Sequence, residues 1–430
     1  LFFVCLKRNP LPTYYIYINV TVPRFIMRIF LSLTFFFGYS FIYAQHFISI
    51  EGQVRDAESE GPVAYSHITV KDSGLGTVAN EDGQFIFKIA GTRLADSIQV
   101  SAIGFESRSF LIEDIQEQSD LLINLKPETK VLDEVLITPI DPEDLIRELA
   151  MNIPKNYGIE SSLLTGFYRE TVKINDEYYS YLEGVIGAYK TGYDNDNAKS
   201  DQVKIIKGRR RQNKIIQDST RRPPTINSGP HTINTYDLVK RRSNFIHEKK
   251  SNLYEYELTE ISTYNGKDIY VIDFKAKKPS KRTMAFGKLY IDIDSKVLLR
   301  AAYEFNAVGV EALNKNVRNG KRSNFLVTAK SLQAVIDYDL ANDIGTINQL
   351  RIKLGFDYYI KNLDITDYLE VSLHIITTDS KRGNIQAYNN DEKFRTKRAF
   401  AQYIGEEDPN FWENYNILKQ DQRLKEAFDN

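Results

Sequence analysis

The sequence predicts a mainly β chain: a β-sandwich first, then an α+β part in which a curved antiparallel sheet packs on a helix. Three observations carry this. Short runs that alternate apolar and polar residues follow one another from Phe47 to Leu125. Asp82-Gly83, Asn175-Asp176 and Asn265-Gly266 punctuate the alternating runs at hairpin positions. One strong helix signal, "DPEDLIRELAMNI" from Asp141, stands among longer alternating runs.

In the first part, "FISIEGQV" sets Ile48 and Ile50 on one face against Ser49 and Glu51. "AYSHITV" alternates in the same way, and "ANEDGQFIFKI" places a tight-turn Asp82-Gly83 before Phe85, Phe87 and Ile89. "SIQVSAIGF" and "LLINL" complete an antiparallel sandwich. The "NEDG" run lacks the alternating ligands and closing Glu of a calcium loop, so a turn is expected there.

This segment, "EGQVRDAESEGPVAYSHITVKDSGLGTVANEDGQFIFKI" with "VSAIGFES", resembles the carboxypeptidase-like regulatory domain over about Ile50 to Leu136. The resemblance implies a transthyretin-like sandwich of exported envelope proteins, an accessory module without catalytic residues of its own. "LDEVLITPI" resembles the strand leading from this module into TonB-dependent receptors. The sandwich is assigned residues 45–137.

Pro139 and Pro142 mark a junction, and the second domain is assigned 142–430. Asp141 caps a helix opened by Pro142, with Leu145, Ile146 and Leu149 as its apolar stripe and its end expected before Pro154. Hairpins follow in "GFYRETVKINDEYYSYLEGVIGAYK", "YEYELTEISTYNGKDIYVIDFKA" and "GKLYIDIDSKVLLRAAYEF", then three more strands from "LVTAKSLQAVIDYDL" onward. The last of these hairpins, with the helix and "TGFYRE" before it, resembles the open half-barrel of periplasmic lipoprotein carriers. The whole chain is similar to exported proteins that join the regulatory module to an uncharacterised β-rich domain. Leu289, Ile291 and Ile293 share one apolar strand face, and Val297, Leu299, Ala301, Tyr303 and Phe305 share another. A short helix would leave such faces for a ligand, such as an acyl chain; a core closed by tyrosine and phenylalanine is the other reading.

"RIFLSLTFFFGYSFIYAQ" from Arg28 is too short and too interrupted for a membrane span and has the layout of a secretory signal, expected over 27–44 with cleavage before Gln45. Residues 1–26 are expected to be upstream sequence, with Met27 as initiator. Removing Lys7, Arg8, Arg24 and Arg28 takes the formal charge from −1 to −5, which does not describe a nucleic-acid binder. The single cysteine, Cys5, lies in this leader, so the remaining 386 residues offer no disulfide or thiolate. His46, His67, His231, His247 and His374 show no metal-site spacing, and no cofactor or metal is expected.

No catalytic residue stands out. Asp292 with Asp294, and Asp337 with Asp339, share strand faces and are expected on exposed ones. From Lys199 to Lys250 the chain carries 14 Lys or Arg against 4 Asp or Glu. Arg209, Arg210, Arg211, Arg221, Arg222, Arg241 and Arg242 are candidates for gripping an anionic ligand; a solvated insertion around 199–250 is the alternative. Trp412 and its aromatic neighbours are expected to pin the C-terminal segment onto the sheet. The expected function is an exported, periplasmic or outer-membrane-associated, non-catalytic binding or assembly protein. Its partner is an envelope polymer, a lipid or an outer-membrane protein. The alternative is an enzyme acting on envelope polymers with the sandwich orienting it. The sequence sets no oligomeric state.

Overall fold

Alternation makes the first sandwich. In β4 (Gln84–Ala90) every second residue is buried, and in β1 (Phe47–Asp56) Ile48, Ile50 and Val54 are. With β7 (Leu121–Leu125) they form a sheet of order β4-β1-β7. The facing sheet has the order β3-β2-β5-β6, from β2 (His67–Val70), β3 (Gly76–Val78), β5 (Ser97–Ser101) and β6 (Arg108–Leu111). Ile50, Val54, Phe85, Phe87, Ile68, Val100 and Ile123 meet in its core. One pair differs from the all-antiparallel expectation: β1 and β7 run parallel, because the chain crosses from the second sheet back to the first before β7.

The computed structural model describes residues 47–430 except 119, 129–139, 195–199, 213–225, 316, 318–323, 342, 405–411, 413–414 and 429–430. The segment expected to be a signal, the residues before it, Thr138 and Pro139 of the junction, Arg221 and Arg222 lie outside the described residues. Among those described, no helix is long and apolar enough to cross a membrane. Residues from Phe47 onward form one compact unit.

The second part is a ten-stranded, curved antiparallel sheet. Its strands are β8 (Ser162–Ile174), β9 (Glu177–Lys190), β10 (Gln202–Gln212), β11 (Tyr254–Tyr264), β12 (Lys267–Ala276), β13 (Ala285–Asp292), β14 (Leu298–Phe305), β15 (Phe325–Ala341), β16 (Ile344–Ile360) and β17 (Ile365–Arg382). The order is β10-β9-β8-β17-β16-β15-β14-β13-β12-β11. The Asn175-Asp176 and Asn265-Gly266 turns both take left-handed torsions, as their hairpins require. Register shifts in six of the strand pairs add local twist and bend the sheet.

Register turns the two-residue alternation into two chemically distinct faces. Tyr168, Ile375, Leu350, Ile336, Ala301, Leu289 and Ile272 lie side by side across seven strands and are buried. One residue along, Arg169, His374, Arg351, Val335, Ala302 and Lys288 form the matching row of the opposite face.

Several pieces of chain cover the apolar face, among them the one with Phe400, which lies edge-on to Tyr168. Helix α1 (Pro142–Tyr157) is capped by the Asp141 side chain at Glu143 N–H and buries Leu145, Ile146, Leu149, Ile153 and Tyr157. It runs through Pro154, beyond the expected end, because Ile153 and Tyr157 anchor the last turn in the core. Gly158, at φ +81°, then ends it. Tyr157 donates to Leu298 O and lies edge-on to Tyr338, and its ring sits so close to Gly345 that a Cβ there would come within 2.6 Å of it. The segment from Gly229 to Leu253 adds Ile233, Leu238, Val239, Phe245 and Ile246. The gap between Pro142, Leu145, Leu258, Tyr270 and Ile272 holds no water-sized void. The helix is short, as expected, but it does not cover the sheet alone, and the face is closed.

A buried ionic network pins the Gly229–Leu253 segment. Asp237 receives Lys190 Nζ at 2.8 Å, the hydroxyls of Tyr193 and Tyr338 at 2.9 and 3.0 Å, and Lys240 N–H. Asp201 sits 3.5 Å from the same Lys190 and accepts from Thr191.

Candidate functional site

Part of the opposite face of the sheet is buried against the sandwich, and this corrects the expectation for Asp337. That carboxylate is 1% exposed. Burial alone would raise its pKa, but Arg300, His67 at 3.8 Å and the charge of Arg351 hold it well below the usual carboxylate range. His67 Nδ1 in turn meets Tyr264 OH at 2.8 Å. Asp292 is equally buried, where it caps the β13–β14 turn through Ser295. Both carboxylates were expected on open faces; for Asp337, one strand's sequence does not show what the sandwich covers.

The C-terminal segment completes this side. Asn416 pairs with both backbone groups of Lys88, closing the free edge of β4. Leu418 O and Lys419 O accept from Arg169, and Gln420 O accepts from Asn80. Asp82 then accepts from Gln422 N–H at the start of helix α2 (Gln422–Phe428). The "NEDG" turn thus serves as a dock for the C-terminal segment. Trp412 lies edge-on to Phe167, within the small apolar cluster that joins Val78 of the sandwich to Ile376 and Leu418.

Between these three bodies lies a cleft of about 510 Å³, within the size range of small-molecule sites. Its floor is the polar face of β8, β17, β16 and β15. One row is Arg169, His374, Arg351 and Val335; the next is Thr171, Ser372, Lys353 and Gln333. Its walls are Tyr65, Asn80 and Glu81 of the sandwich, Tyr178 of β9, and Leu418, Asp421, Arg423 and Leu424 of the C-terminal segment.

Tyr65 is the sandwich's reach into this site. It holds a left-handed backbone at φ +59°, uncommon for an aromatic residue. Its ring stacks 3.8 Å from the Arg351 guanidinium and edge-on to His374, and its hydroxyl donates to Glu81 at 3.0 Å. Burial, then the charges of Arg351 and Arg169, push the His374 pKa well below its ordinary value, so the ring is neutral. His374 Nε2 and Arg351 Nε are shielded and make no hydrogen bond. Among the described residues, no group of three or more His, Cys, Asp or Glu is arranged to hold a metal ion.

The predicted arginines are dispersed. Arg209, Arg210 and Arg211 lie on β10, the sheet's edge strand, and alternate between its faces. Arg209 places Nε and Nη2 within 2.7–2.8 Å of one Glu183 oxygen, and Arg169 does the same to the other. Arg210 faces the core side, where its charge reaches buried Glu170. Arg241 and Arg242 belong to the Gly229–Leu253 cover. Apart from His374, the cleft-floor residues went unnamed in the sequence, although "LEVSLHI" and "LRIKLGF" alternate. The missing information was register, which alone sets Arg351 beside His374 and Arg169.

The chain is similar to a DUF1329 family protein from Desulfovibrio piger at 12% identity, covering 58% of this chain and 96% of that one with a TM-score of 0.23. A LolA superfamily protein from Nitrosomonas europaea gives 11% identity, coverage of 60% and 99%, and a TM-score of 0.20. A structure described as lipid–protein interactions in lipovitellin gives 10%, 56% and 28%, and 0.22. At these scores the likenesses carry neither fold nor function across. Comparison with curated proteins gave no match. Residues 50–137 match the family model of the CarboxypepD_reg-like domain, in agreement with the resemblance read from the sequence of that segment.

Proposed function

We propose that this is an exported binding protein of the cell envelope, periplasmic or attached to the outer membrane, that takes a polar ligand in the cleft between sandwich, sheet and C-terminal segment. The observation that carries this reading is the contrast in filling: the apolar face is closed by the chain's own side chains, whereas the polar face retains a cleft of about 510 Å³. The sandwich supplies a wall of that cleft through Tyr65 and Glu81, which gives the accessory module a part in binding. The leader expected over 27–44 and the match of residues 50–137 to the CarboxypepD_reg-like domain support export. With the apolar face closed, a lipid would engage the cleft through its polar headgroup and not through an acyl chain in the hollow of the sheet.

A blocking variant tests this. Ser372→Trp places an indole on the cleft floor without touching the apolar core. Ligand pools from envelope extracts should stabilise the wild-type chain in thermal-shift titrations and fail to stabilise Ser372→Trp. Equal stabilisation of both would reject the cleft as the binding site. New hydrolysis products in the extracts, abolished by the same variant, would favour the enzyme reading.

A further inference from the structure

We infer that the cleft floor is a subsite for an anionic group, a carboxylate or phosphate, held by Lys353, Arg351 and the hydroxyls of Ser372 and Thr171. This rests on the cleft being the ligand site and adds the chemistry of what it holds.

The register makes the case. Thr171 pairs with Ser372, and Ser372 with Lys353, so the three side chains stand in one row on adjacent strands. Neighbouring strands lie about 4.8 Å apart, so the row spans roughly 10 Å, the reach of one anionic group and its neighbours. The parallel row adds Arg169, neutral His374 and Arg351.

Neither row contains a carboxylate. The four acidic residues of the cleft stand elsewhere, and three have specific partners. Glu81, on the sandwich wall, binds Arg423 and the Tyr65 hydroxyl; Asp421 caps Leu424 N–H; Glu370, one row further out, lies 3.6 Å from Lys353. Asp176 lies at the far hairpin turn. Arg169 is committed to Glu183 and to two carbonyls. Arg351 is held less tightly: Asp337, 3.9 Å from its Nη2, binds Arg300 more closely, and part of the Arg351 side chain stays exposed to the cleft. Lys353 is half exposed and held only by the longer contact to Glu370. An incoming anion would find Lys353, the exposed part of the Arg351 guanidinium and two hydroxyl donors.

The probes are inorganic phosphate and glucuronate, titrated by calorimetry into the full chain, and sedimented vesicles of phosphatidylglycerol against phosphatidylcholine. Lys353→Gln and Ser372→Ala, both at cleft positions where folding is undemanding, should each weaken anion binding, Lys353→Gln by about tenfold. Binding should also fall with added salt. Lys353-dependent binding of the soluble anions identifies a free or glycan-borne group. Binding only to phosphatidylglycerol vesicles, again lost in Lys353→Gln, identifies a lipid headgroup. Absence of saturable binding to any anionic probe, or equal binding by wild type and Lys353→Gln, overturns the subsite. If a neutral envelope ligand still binds and Ser372→Trp blocks it, the cleft reading survives that failure; if nothing binds, both fall.

Discussion

The two faces of the ten-stranded sheet are covered by opposite means, one closed and the other only in part. On one, α1 and the Gly229–Leu253 segment fill the concavity with apolar and tyrosine side chains and leave no water-sized gap beside Pro142 and Leu145. On the other, a second module and a C-terminal segment are fastened by polar contacts, among them His67–Tyr264, Arg423–Glu81 and Asn416 with Lys88. Apolar surfaces close because contact is favourable in any orientation. Directional contacts fix two bodies at a few points and leave space between them, and that space is the cleft. A curved sheet need not carry its ligand in its hollow: here the better-formed site lies on the face where a neighbour docks.

Breaking the filled face should have the largest effect. Asp237→Ala removes the acceptor shared by Lys190, Tyr193 and Tyr338, all buried, and should cost about 4 kcal/mol in denaturant unfolding. A loss below about 1 kcal/mol would mean that the network is not what holds the Gly229–Leu253 cover.

Glu170 sharpens the same contrast through pH. It lies on the core side beside Tyr168, whose hydroxyl donates to it at 2.5 Å. Burial raises its pKa to about 7 from an ordinary 4.5, against the opposing effects of the Tyr168 bond and Arg210. Between those values the folded chain binds more protons than the unfolded one. Its contribution to stability is therefore full below about pH 4.5, falls as pH rises and levels off above about pH 7. Glu170→Gln should remove that slope and gain roughly 3 kcal/mol at about pH 8. Parallel pH profiles for the two proteins in urea titrations would contradict the assignment.

The docked face should yield less per contact. Asn416→Ala, which frees the β4 edge at Lys88, should cost about 1 kcal/mol. Arg423→Ala, at an exposed pair with Glu81, should change stability by less than about 0.5 kcal/mol. A larger loss at Arg423 than at Asn416 would show that charge, and not edge pairing, secures the C-terminal segment.

Much of the fold was legible because its signals are local. Asn265-Gly266 and Asp82-Gly83 fix their turns by torsion, Asp141-Pro142 starts α1, and alternation in β16 and β17 separates Leu350 from Arg351 and Leu373 from His374. Helix continuation through Pro154 was not legible, since it depends on Tyr157 finding Tyr338 and Leu298 far along the chain. The cleft was not legible for the same reason. Arg169, Thr171, Lys353 and Ser372 come from three strands, and nothing near any of them announces the others. The arginine runs drew attention by composition, yet Arg209 is bound to Glu183, whose setting in "YLEGV" is ordinary by pattern.

Hydrogen exchange on the full chain, with and without soluble and lipid fractions of the envelope, tests the contrast between the faces most directly. Their covers do not overlap in sequence. A ligand in the cleft should slow exchange around Tyr65, Asn80–Asp82 and residues 418–424 and leave Pro142–Tyr157 and Gly229–Leu253 unchanged. Protection concentrated in Pro142–Tyr157 and Gly229–Leu253 would contradict this and place the ligand in the hollow of the sheet.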